Sequence, residues 1–468
     1  MNRISRFGAT LGGSAGFPAL ALLALVVAFL GGSSRPDAVQ LIALRPLVAL
    51  FLIPALYLMT RERLASLKGP AVLLGLLAAW MALQLLPLPP SIWQALPGRE
   101  PVSELDAVLG LDGVWRPISM VPSRGWNALA SLVIPAAGLL LAIALGAPAR
   151  LLLVLVLGLG LLDAALGLLQ VMGAGVDKLY FYDITNKGSA VGIFANQNHS
   201  GVFSALTLLV AAHLATDREF GLTRSWQRAA LAGAFLFILL AALVGGSRAG
   251  LLTTILALAA SGMMFWNHLS TREAGKRRRT ASARRWQIRP AWLLLIAAAA
   301  VASMIAAFVM LDRWPAFESI ASRGEFEDLR WEILPTLREM AATYWLFGSG
   351  FGSFEEVYHI FEPDHLLFRQ YINQAHNDWA QLVIEGGLPA ALLALATLAG
   401  MARGLAAMVR TPGIALSRCI FWLAGAAILL SASLVDYPLR APTMQLVLAW
   451  LVIAFCRQTC PADSSGHP

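Results

Sequence analysis

Charge and cysteine are both scarce in this sequence. Only 13% of its 468 residues are Asp, Glu, Lys or Arg, whereas a soluble chain carries about 25%. Its three cysteines, Cys419, Cys456 and Cys460, lie close to the C-terminus and make neither a disulfide framework nor a metal-ligand spacing. A DxD-like pair of carboxylates is also missing. The composition therefore argues against a large water-soluble domain and predicts neither a metal site nor a cofactor.

Apolar runs are abundant instead. Hydrophobic residues make up 58% of the chain, and the mean hydropathy is +0.68. In lipid, backbone polar groups must be satisfied within each segment, so runs of roughly 20 apolar residues predict membrane-spanning helices. We predict an all-α, polytopic transmembrane protein with one integral membrane domain over residues 1–468. The predicted spans, about twelve in number, lie near 17–33, 40–60, 70–88, 126–147, 150–173, 198–215, 229–247, 249–267, 291–311, 379–400, 419–435 and 442–456.

The net charge of +8 comes from 35 Lys and Arg against 27 Asp and Glu. Nucleic acid could explain such a charge, but the basic residues gather in loops between apolar runs, as the positive-inside rule describes. That rule places both termini in the cytoplasm. The first apolar run lacks a convincing cleavage site, so we interpret it as a retained span and not as a signal peptide. The basic run over 272–289 is then a topology determinant, with docking of anionic membrane lipid or a partner as the alternative.

Two polar segments remain on the outer face of this topology. Residues 89–125 are rich in Pro and Trp, and residues 312–378 form a much longer extracytoplasmic loop that is dense in charge, aromatics and glycine. A loop of that length without secondary structure is uncommon, so we expect it to contain short helices. Functional residues concentrate on loops held by a rigid scaffold, and this large loop is therefore the first place to search for a site.

His376 is the candidate catalytic residue of the large loop. Histidine has an unperturbed pKa that suits a general base near neutral pH, and His376 comes just before a predicted span. A lone histidine is more often structural or solvated, and Asn377 beside it could simply cap the following helix. The run 348–352 is like a phosphate-binding loop in composition only. The arginines of the loop include Arg330, Arg338 and Arg369.

Three further motifs fall on the outer face. Arg248 occupies a glycine-rich break between two spans, where a guanidinium suits bidentate contacts to phosphate oxygens, although snorkelling explains it equally well. Asn196 and Asn198 precede another span and could bind sugar hydroxyls, although helix capping is the commoner role. Asp436 and Arg440 lie between the last two spans and could form a structural ion pair. A metal-independent reaction on a phosphate-bearing substrate would suit these residues.

Taken in chain order, the motifs resemble the bacterial O-antigen ligase and polymerase superfamily. They are Gly192-x-Phe194-x-Asn196-x-Asn198, Ser247-Arg248-x-Gly250, Arg330-Trp331, Gly348-x-Gly350-x-Gly352, and His376-Asn377 followed by Glu385-Gly386-Gly387. The resemblance covers roughly residues 180–400, and the histidine motif is its most specific part. It implies a fold of about twelve helices in the bacterial inner membrane, with a large periplasmic loop that carries the active site.

The resemblance also implies the chemistry. The donor would be a glycan linked to a polyprenyl diphosphate, such as undecaprenyl diphosphate, and the acceptor a hydroxyl on lipid A core or on another glycan. His376 matches the family histidine proposed as the base, and Arg248 and Arg330 match arginines thought to bind the diphosphate, so that charge neutralisation replaces a metal. Transfer would invert the anomeric carbon. The other loop arginines are further candidates, while Asp436 and Arg440 resemble a late motif of open role.

Several acceptors and one other class of function stay open. A ligase transfers finished glycan to lipid A core of lipopolysaccharide, a polymerase of O-antigen or exopolysaccharide joins lipid-linked glycans, and related enzymes glycosylate protein. The spacing from His376 to Gly387 slightly favours the ligase. A transporter or lipid flippase would instead use ionisable groups inside spans. Asp163 and Arg45 are the candidates, and neither has an obvious partner in the sequence.

Overall fold

A computed structural model describes residues 16–172, 176–217, 220, 225–277, 331–367, 372–411 and 416–459. Within these ranges the chain is helical and has no strand, and its β-structure is limited to one antiparallel bridge between Leu88 and Arg116. The predicted all-α class is confirmed. Several predicted features lie outside the described residues, namely the span near 291–311, much of the basic run over 272–289, and the candidate residues Arg330 and Arg369.

The longer helices occur where the apolar runs predicted them, with shorter helices between. In chain order they are α1 (Gly16–Leu30), α2 (Leu41–Leu58), α3 (Lys68–Leu83), α4 (Glu100–Leu109), α5 (Pro122–Ala144), α6 (Ala149–Met172), α7 (Gln197–Thr216), α8 (Ser225–Val244), α9 (Arg248–Arg277), α10 (Leu334–Tyr344), α11 (Phe354–Phe361), α12 (Asp378–Arg410), α13 (Leu416–Val435) and α14 (Pro442–Thr459). Two of them, α2 and α5, each contain one irregular residue, Phe51 and Leu132 respectively.

Eight helices of the described ranges are long and apolar enough to cross a membrane, namely α2, α5, α6, α7, α8, α9, α12 and α13. Each coincides with a predicted span. The predicted spans near 17–33 and 70–88 correspond to the shorter apolar helices α1 and α3, and the one near 442–456 corresponds to α14. Repeated apolar helices of this length are typical of a multi-span membrane protein.

The chain divides into two compact units, each assembled from three stretches of sequence. The first unit takes residues 1–147, 324–403 and 433–453, and the second takes 148–323, 404–432 and 454–468. Contacts between residues far apart in the sequence therefore define each unit.

A small apolar core lies under the described part of the large loop in the first unit. One side of α10 is buried at spacings of three and four residues, as an amphipathic helix requires, and it packs against α11 and the start of α12. The buried members of this core are Ile333, Leu337, Met340, Tyr344, Phe354, Val357, Tyr358, Leu366, Ala375 and Ile384. This core holds the polar residues around it in fixed positions.

A glycine junction joins this core to α12. Two helical segments of α12 meet at Gly387, whose φ of +62° lies in the left-handed region that favours glycine. Residues 348–352 pack against this break, and two of their amides donate to the carbonyls of Ile384 and Glu385 at 2.8 and 3.0 Å. A Cβ on Gly348 would lie 2.2 Å from the Glu385 carbonyl oxygen, so the close approach needs glycine.

The second unit is built around α7, of which nearly every residue is buried. It crosses α9 where Gly201 meets Gly250, and a Cβ on Gly201 would lie 2.7 Å from the Gly250 Cα. Such close crossings depend on small residues. The loop before α7 is held by α6, because Asp163 accepts hydrogen bonds from the amide of Ile193 and the hydroxyl of Ser200, both at 2.9 Å.

Candidate functional site

His376 lies at the end of the large loop, directly before α12. Its φ is +49°, and no other non-glycine residue of the described ranges has a positive φ. Such backbone conformations cost free energy and cluster at functional sites. Asn377 fixes the start of α12, because its side-chain oxygen accepts hydrogen bonds from the amides of Trp379 and Ala380 at 3.0 Å each. Asn377 therefore caps the helix that supports the histidine.

Asp436 and Tyr437 face His376 from the turn between α13 and α14. The imidazole Nδ1 lies 3.8 Å from a carboxylate oxygen of Asp436. That carboxylate is buried, with 1% of its side chain exposed, whereas the histidine side chain is 25% exposed. The ring of Tyr437 packs edge-on against the imidazole, with centroids 5.0 Å apart. A carboxylate and an aromatic ring thus flank a histidine that remains partly accessible.

Arg440 follows in the same turn and lies between two carboxylates of α12. Its guanidinium is 3.2 Å from Glu385 and 3.4 Å from Asp378. Burial of the guanidinium disfavours its charged form, but the two carboxylates outweigh burial and raise the pKa of Arg440 above its ordinary value. The charge of Arg440 is therefore already compensated within the first unit.

Hydrogen bonds connect these carboxylates to the backbone that precedes His376. Glu385 accepts a hydrogen bond from the Gln381 side-chain amide at 3.1 Å. Gln381 also donates to Gln374 at 2.7 Å and accepts from the amide of Ala375 at 3.0 Å. The side chains of Gln374, Gln381 and Glu385 are all buried. Because buried and satisfied polar networks are rigid, α12 fixes the position of the loop end that carries the imidazole.

By formal charge, the surroundings of His376 are acidic. Among the described residues, the ion pairs around His376 involve three carboxylates, those of Asp378, Glu385 and Asp436, and one guanidinium, that of Arg440. A phosphate would meet net negative charge here, whereas a hydroxyl would find both hydrogen-bond acceptors and a base. Among the described residues, no group of three or more His, Cys, Asp and Glu side chains is placed to hold a metal ion. This cluster therefore suits an acceptor hydroxyl better than a diphosphate.

In the second unit, the segments that carry Arg248 and the two asparagines form one polar junction. Asn196 caps α7, because its side chain accepts from the amide of Asn198 at 2.8 Å. The Asn198 side chain accepts from the Ser247 hydroxyl, which in turn accepts from the amide of Gly250, both at 2.8 Å. Arg248 is the first residue of α9 and is half-buried. Hydrogen bonding thus fixes the backbone on both sides of Arg248.

The remaining basic and glycine-rich candidates have varied positions. Arg338 lies on α10 and is exposed, while Arg330 and Arg369 lie outside the described residues. Residues 348–352 are committed to packing, because four of their amides donate within the first unit and are not available to a phosphate. The acceptors of these four hydrogen bonds are the carbonyls of Tyr344, Ile384 and Glu385 and the side-chain oxygen of Gln84.

The two ionisable residues that a transporter would use have local partners. Asp163 holds the loop before α7 through Ile193 and Ser200. Arg45 of α2 donates a hydrogen bond to the side-chain oxygen of Asn127 in α5. Both residues thus have a structural role within their own unit, which the sequence did not show.

Sequence reasoning singled out His376 and Arg440, but it included Glu385 only as part of the family motif and gave the polar side chains of α12 no role. Asp378, Gln381 and Glu385 are spaced three and four residues apart, so they lie along one face of the helix. This polar stripe in an otherwise apolar span was the available signal. Arg440 lies 55 positions after Glu385, and no local pattern connects them.

Comparison with known protein families adds an independent finding. The model of the family described as O-antigen ligase matches residues 233–395. This range contains Arg248, Arg338 and His376, and leaves Asp436 and Arg440 outside. No curated protein sequence matches the chain. The match confirms the resemblance carried by the motifs: residues 233–395 of this membrane protein are similar to the O-antigen ligase family.

Proposed function

We propose that this protein is a membrane glycosyltransferase that moves a glycan from a polyprenyl diphosphate to an acceptor hydroxyl. The main support for this proposal is that His376, which has a positive φ, lies beside the buried carboxylate of Asp436. His376 also lies inside the segment that matches the O-antigen ligase family. A partly exposed imidazole next to a carboxylate suits a general base. The proposed location is the bacterial inner membrane, with both termini in the cytoplasm and the site facing the periplasm.

In the proposed reaction, His376 takes the proton of the acceptor hydroxyl while its oxygen attacks the anomeric carbon. The new glycosidic C–O bond forms as the bond from that carbon to the diphosphate oxygen breaks, and the polyprenyl diphosphate leaves with the bonding electrons. Asp436, 3.8 Å from Nδ1, stabilises the positive charge that develops on the imidazole. Attack from the face opposite the leaving diphosphate inverts the anomeric carbon.

Arginines are the proposed ligands of the donor diphosphate. Guanidinium groups neutralise the charge that develops on the leaving group and so take the place of a divalent metal. We assign this role to Arg248 and Arg330 and not to Arg440, whose charge is compensated by Glu385 and Asp378. The further candidates in the large loop are Arg338 and Arg369.

The acceptor separates three variants of this function. Lipid A core as acceptor makes the protein a ligase, a second lipid-linked glycan makes it a polymerase of O-antigen or exopolysaccharide, and a protein hydroxyl makes it an O-oligosaccharyltransferase. The spacing from His376 to Gly387 slightly favours the ligase. All three reactions need the same base and the same diphosphate-binding arginines, so the acceptor has to be identified by experiment.

Transfer by the purified protein in lipid nanodiscs tests the proposal. One reaction contains polyprenyl-diphosphate-linked glycan and lipid A core without divalent metal, and a second contains the donor alone. Product on lipid A core indicates a ligase, and a lengthening ladder from donor alone indicates a polymerase. We expect His376→Ala to abolish either product and His359→Ala to retain it, because His359 is an exposed histidine of the same loop. A wild-type rate in H376A would refute His376 as the base.

The substitution Arg248→Lys tests the donor contact. Lysine keeps the charge but loses the planar fork that binds two phosphate oxygens. Loss of one charge-assisted hydrogen bond should raise the KM for the donor about tenfold. An unchanged donor KM would remove Arg248 from the diphosphate site. Translocation of labelled lipid without any glycan transfer would instead support a transporter or lipid flippase, which the structural partners of Asp163 and Arg45 do not favour.

A further inference from the structure

Residues 88–116 form a closed loop between α3 and α5. Backbone hydrogen bonds in both directions join Leu88 and Arg116 at its base, at 2.9 and 3.2 Å. The loop contains α4 and is connected to α3 and α5 by only a few residues at each end. It is therefore a defined structural element, and the proposed transfer reaction does not use it.

One side of this loop is fixed to the rest of the first unit. Arg99, which is 3% exposed, donates a hydrogen bond to the carbonyl of Gly348 at 2.8 Å. Trp93 is buried and donates a hydrogen bond to the carbonyl of Val114 within the loop at 3.0 Å. Asp106 is buried as well and accepts a hydrogen bond from Arg116 at 2.6 Å. The internal contacts hold the loop together, and the contact of Arg99 with Gly348 fixes it to the rest of the first unit.

Five large apolar side chains of this loop are exposed. The exposed fractions are 84% for Val108, 60% for Leu109, 58% for Leu105, 60% for Trp115 and 50% for Ile92. We call these five residues the apolar face of the loop. Water-soluble surfaces rarely expose several large apolar side chains together without a partner. The apolar face therefore requires an explanation.

On α4 the apolar and the acidic side chains occupy separate sectors. A helix turns by about 100° per residue, so Leu105, Val108 and Leu109 fall within a sector about 100° wide, and Glu100 and Glu104 fall within a neighbouring sector of about 40°. All five side chains are exposed. The exposed surface of α4 is thus amphipathic, as expected of a helix that lies at the boundary between lipid and water.

The helices on either side bring this face to the membrane surface. Exposed apolar side chains of α3, such as Leu76 and Leu83, continue into Leu86 just before the loop. After the loop, the candidate span α5 begins at Pro122 and carries the exposed Trp126 in its first turns. Tryptophan is enriched at the membrane–water interface, because its ring is apolar and its N–H is polar. The loop therefore starts and ends at one surface of the bilayer.

We propose that the apolar face of this loop inserts into the phospholipid bilayer at the boundary between headgroups and acyl chains. The partner is the apolar region of ordinary phospholipid, because the exposed charges of α4 are acidic and would not attract anionic headgroups. The acidic sector then faces water. Because Arg99 of the loop is bonded to Gly348, the inserted loop fixes how deep Gly348 and the residues packed around it lie relative to the bilayer surface. This role is independent of any transfer chemistry.

Site-directed spin labelling in phosphatidylcholine nanodiscs tests this insertion. Nitroxides are attached to Leu105→Cys, to Val108→Cys and, as a matched control on the same helix, to Glu100→Cys. The full chain is used, with its three native cysteines replaced by alanine. Collision with oxygen, which concentrates in lipid, is compared with collision with a water-soluble nickel chelate. We expect the ratio of oxygen to nickel collisions to be several-fold higher at positions 105 and 108 than at position 100.

Three other outcomes would overturn the proposal. Equal collision with nickel at all three positions would show that the apolar face lies in water. Low collision with both reagents at positions 105 and 108 would show that protein covers the face, whether a second copy of this chain or another partner. A lipid-like ratio at these positions only after anionic lipid is added would show that charge, and not apolar insertion, brings the loop to the membrane.

Discussion

Asp436→Asn separates the charge of Asp436 from its shape. Asparagine has nearly the same shape and keeps the hydrogen bond that the Tyr437 amide donates to Oδ1 at 2.9 Å, but it has no negative charge. The variant should therefore fold, while the positive charge that develops on His376 during proton transfer loses its neighbour. We expect a slower reaction without a change in donor binding.

The magnitude follows from the distance between the two groups. Unit charges 3.8 Å apart attract each other by about 4 kcal/mol at an effective dielectric constant of about 20, and by about 2 kcal/mol at about 40. Asp436 is buried and His376 is partly exposed, so this range applies. At about 1.4 kcal/mol for each factor of ten, kcat should fall about 30- to 1000-fold.

Single-turnover transfer in nanodiscs, followed from about pH 5 to about pH 9, measures the effect on the chemical step. We expect kcat to fall and the KM for the donor to stay unchanged. The acidic limb of the pH–rate profile should move to lower pH, because removal of the anion disfavours the protonated imidazole. A merely structural role of Asp436 would not move that limb.

A double variant provides the control. If Asp436 acts through His376, adding Asp436→Asn to His376→Ala lowers the residual rate no further, because the two residues work as one unit. An additive loss in the double variant would contradict the reasoning. So would a wild-type pH profile in D436N despite a slower reaction. The thermal midpoints of all variants are measured in parallel to exclude unfolding.

Three further predictions concern the stability of the first unit. Arg440→Ala leaves the buried carboxylate of Glu385 without the guanidinium that pairs with it, so the free energy of unfolding in detergent should fall by about 3–5 kcal/mol. An unchanged thermal midpoint would contradict this prediction. Recovery of the stability on adding Glu385→Gln would support it. Gly350 has a φ of +105°, and Gly350→Ala places a methyl group 2.6 Å from the Cα of Ser119, whereas at Gly110→Ala the added Cβ meets nothing within 4 Å. Size-exclusion chromatography should therefore give much less folded protein for Gly350→Ala than for Gly110→Ala. Equal yields would refute the packing argument. The hydrogen bond from Arg116 lowers the pKa of Asp106 in the folded protein. The ionised carboxylate therefore stabilises the loop fully above the pKa of about 4 that Asp106 has in the unfolded chain, and this stabilisation is lost as the pH falls through the lower pKa of the folded protein. Proteolysis of the loop should therefore be faster in Asp106→Asn at neutral pH, and the difference should shrink only below about pH 4; its disappearance already at about pH 6 would count against the pairing.

The length of apolar runs predicted the spanning helices well. Eight helices of the described ranges coincide with predicted spans, because about 20 consecutive apolar residues in lipid can satisfy their backbone only as a helix. Irregular points within helices were not predicted. The break at Gly387 falls inside the span predicted near 379–400, and a positive φ leaves no mark on hydropathy.

The candidate site was predicted by residue type, while most of its contacts were not. The capping role considered for Asn377 and Asn196 occurs in the structure, because a cap is a local feature of three or four residues. The sequence suggested an ion pair between Asp436 and Arg440. The structure instead places Arg440 against carboxylates of α12 and places Asp436 beside His376.

By itself, the sequence determined the helical class, the membrane environment and the family motifs, because these depend on composition, on runs of neighbouring residues and on the order of short segments. It also determined which side chains can act as a base or bind phosphate, since that chemistry belongs to the single residue. Only the tertiary structure decided that Asp436 meets His376, that Arg440 meets Glu385, and that one side of α4 stays uncovered. These outcomes depend on how distant helices pack, and packing is a property of complementary surfaces that no single segment contains.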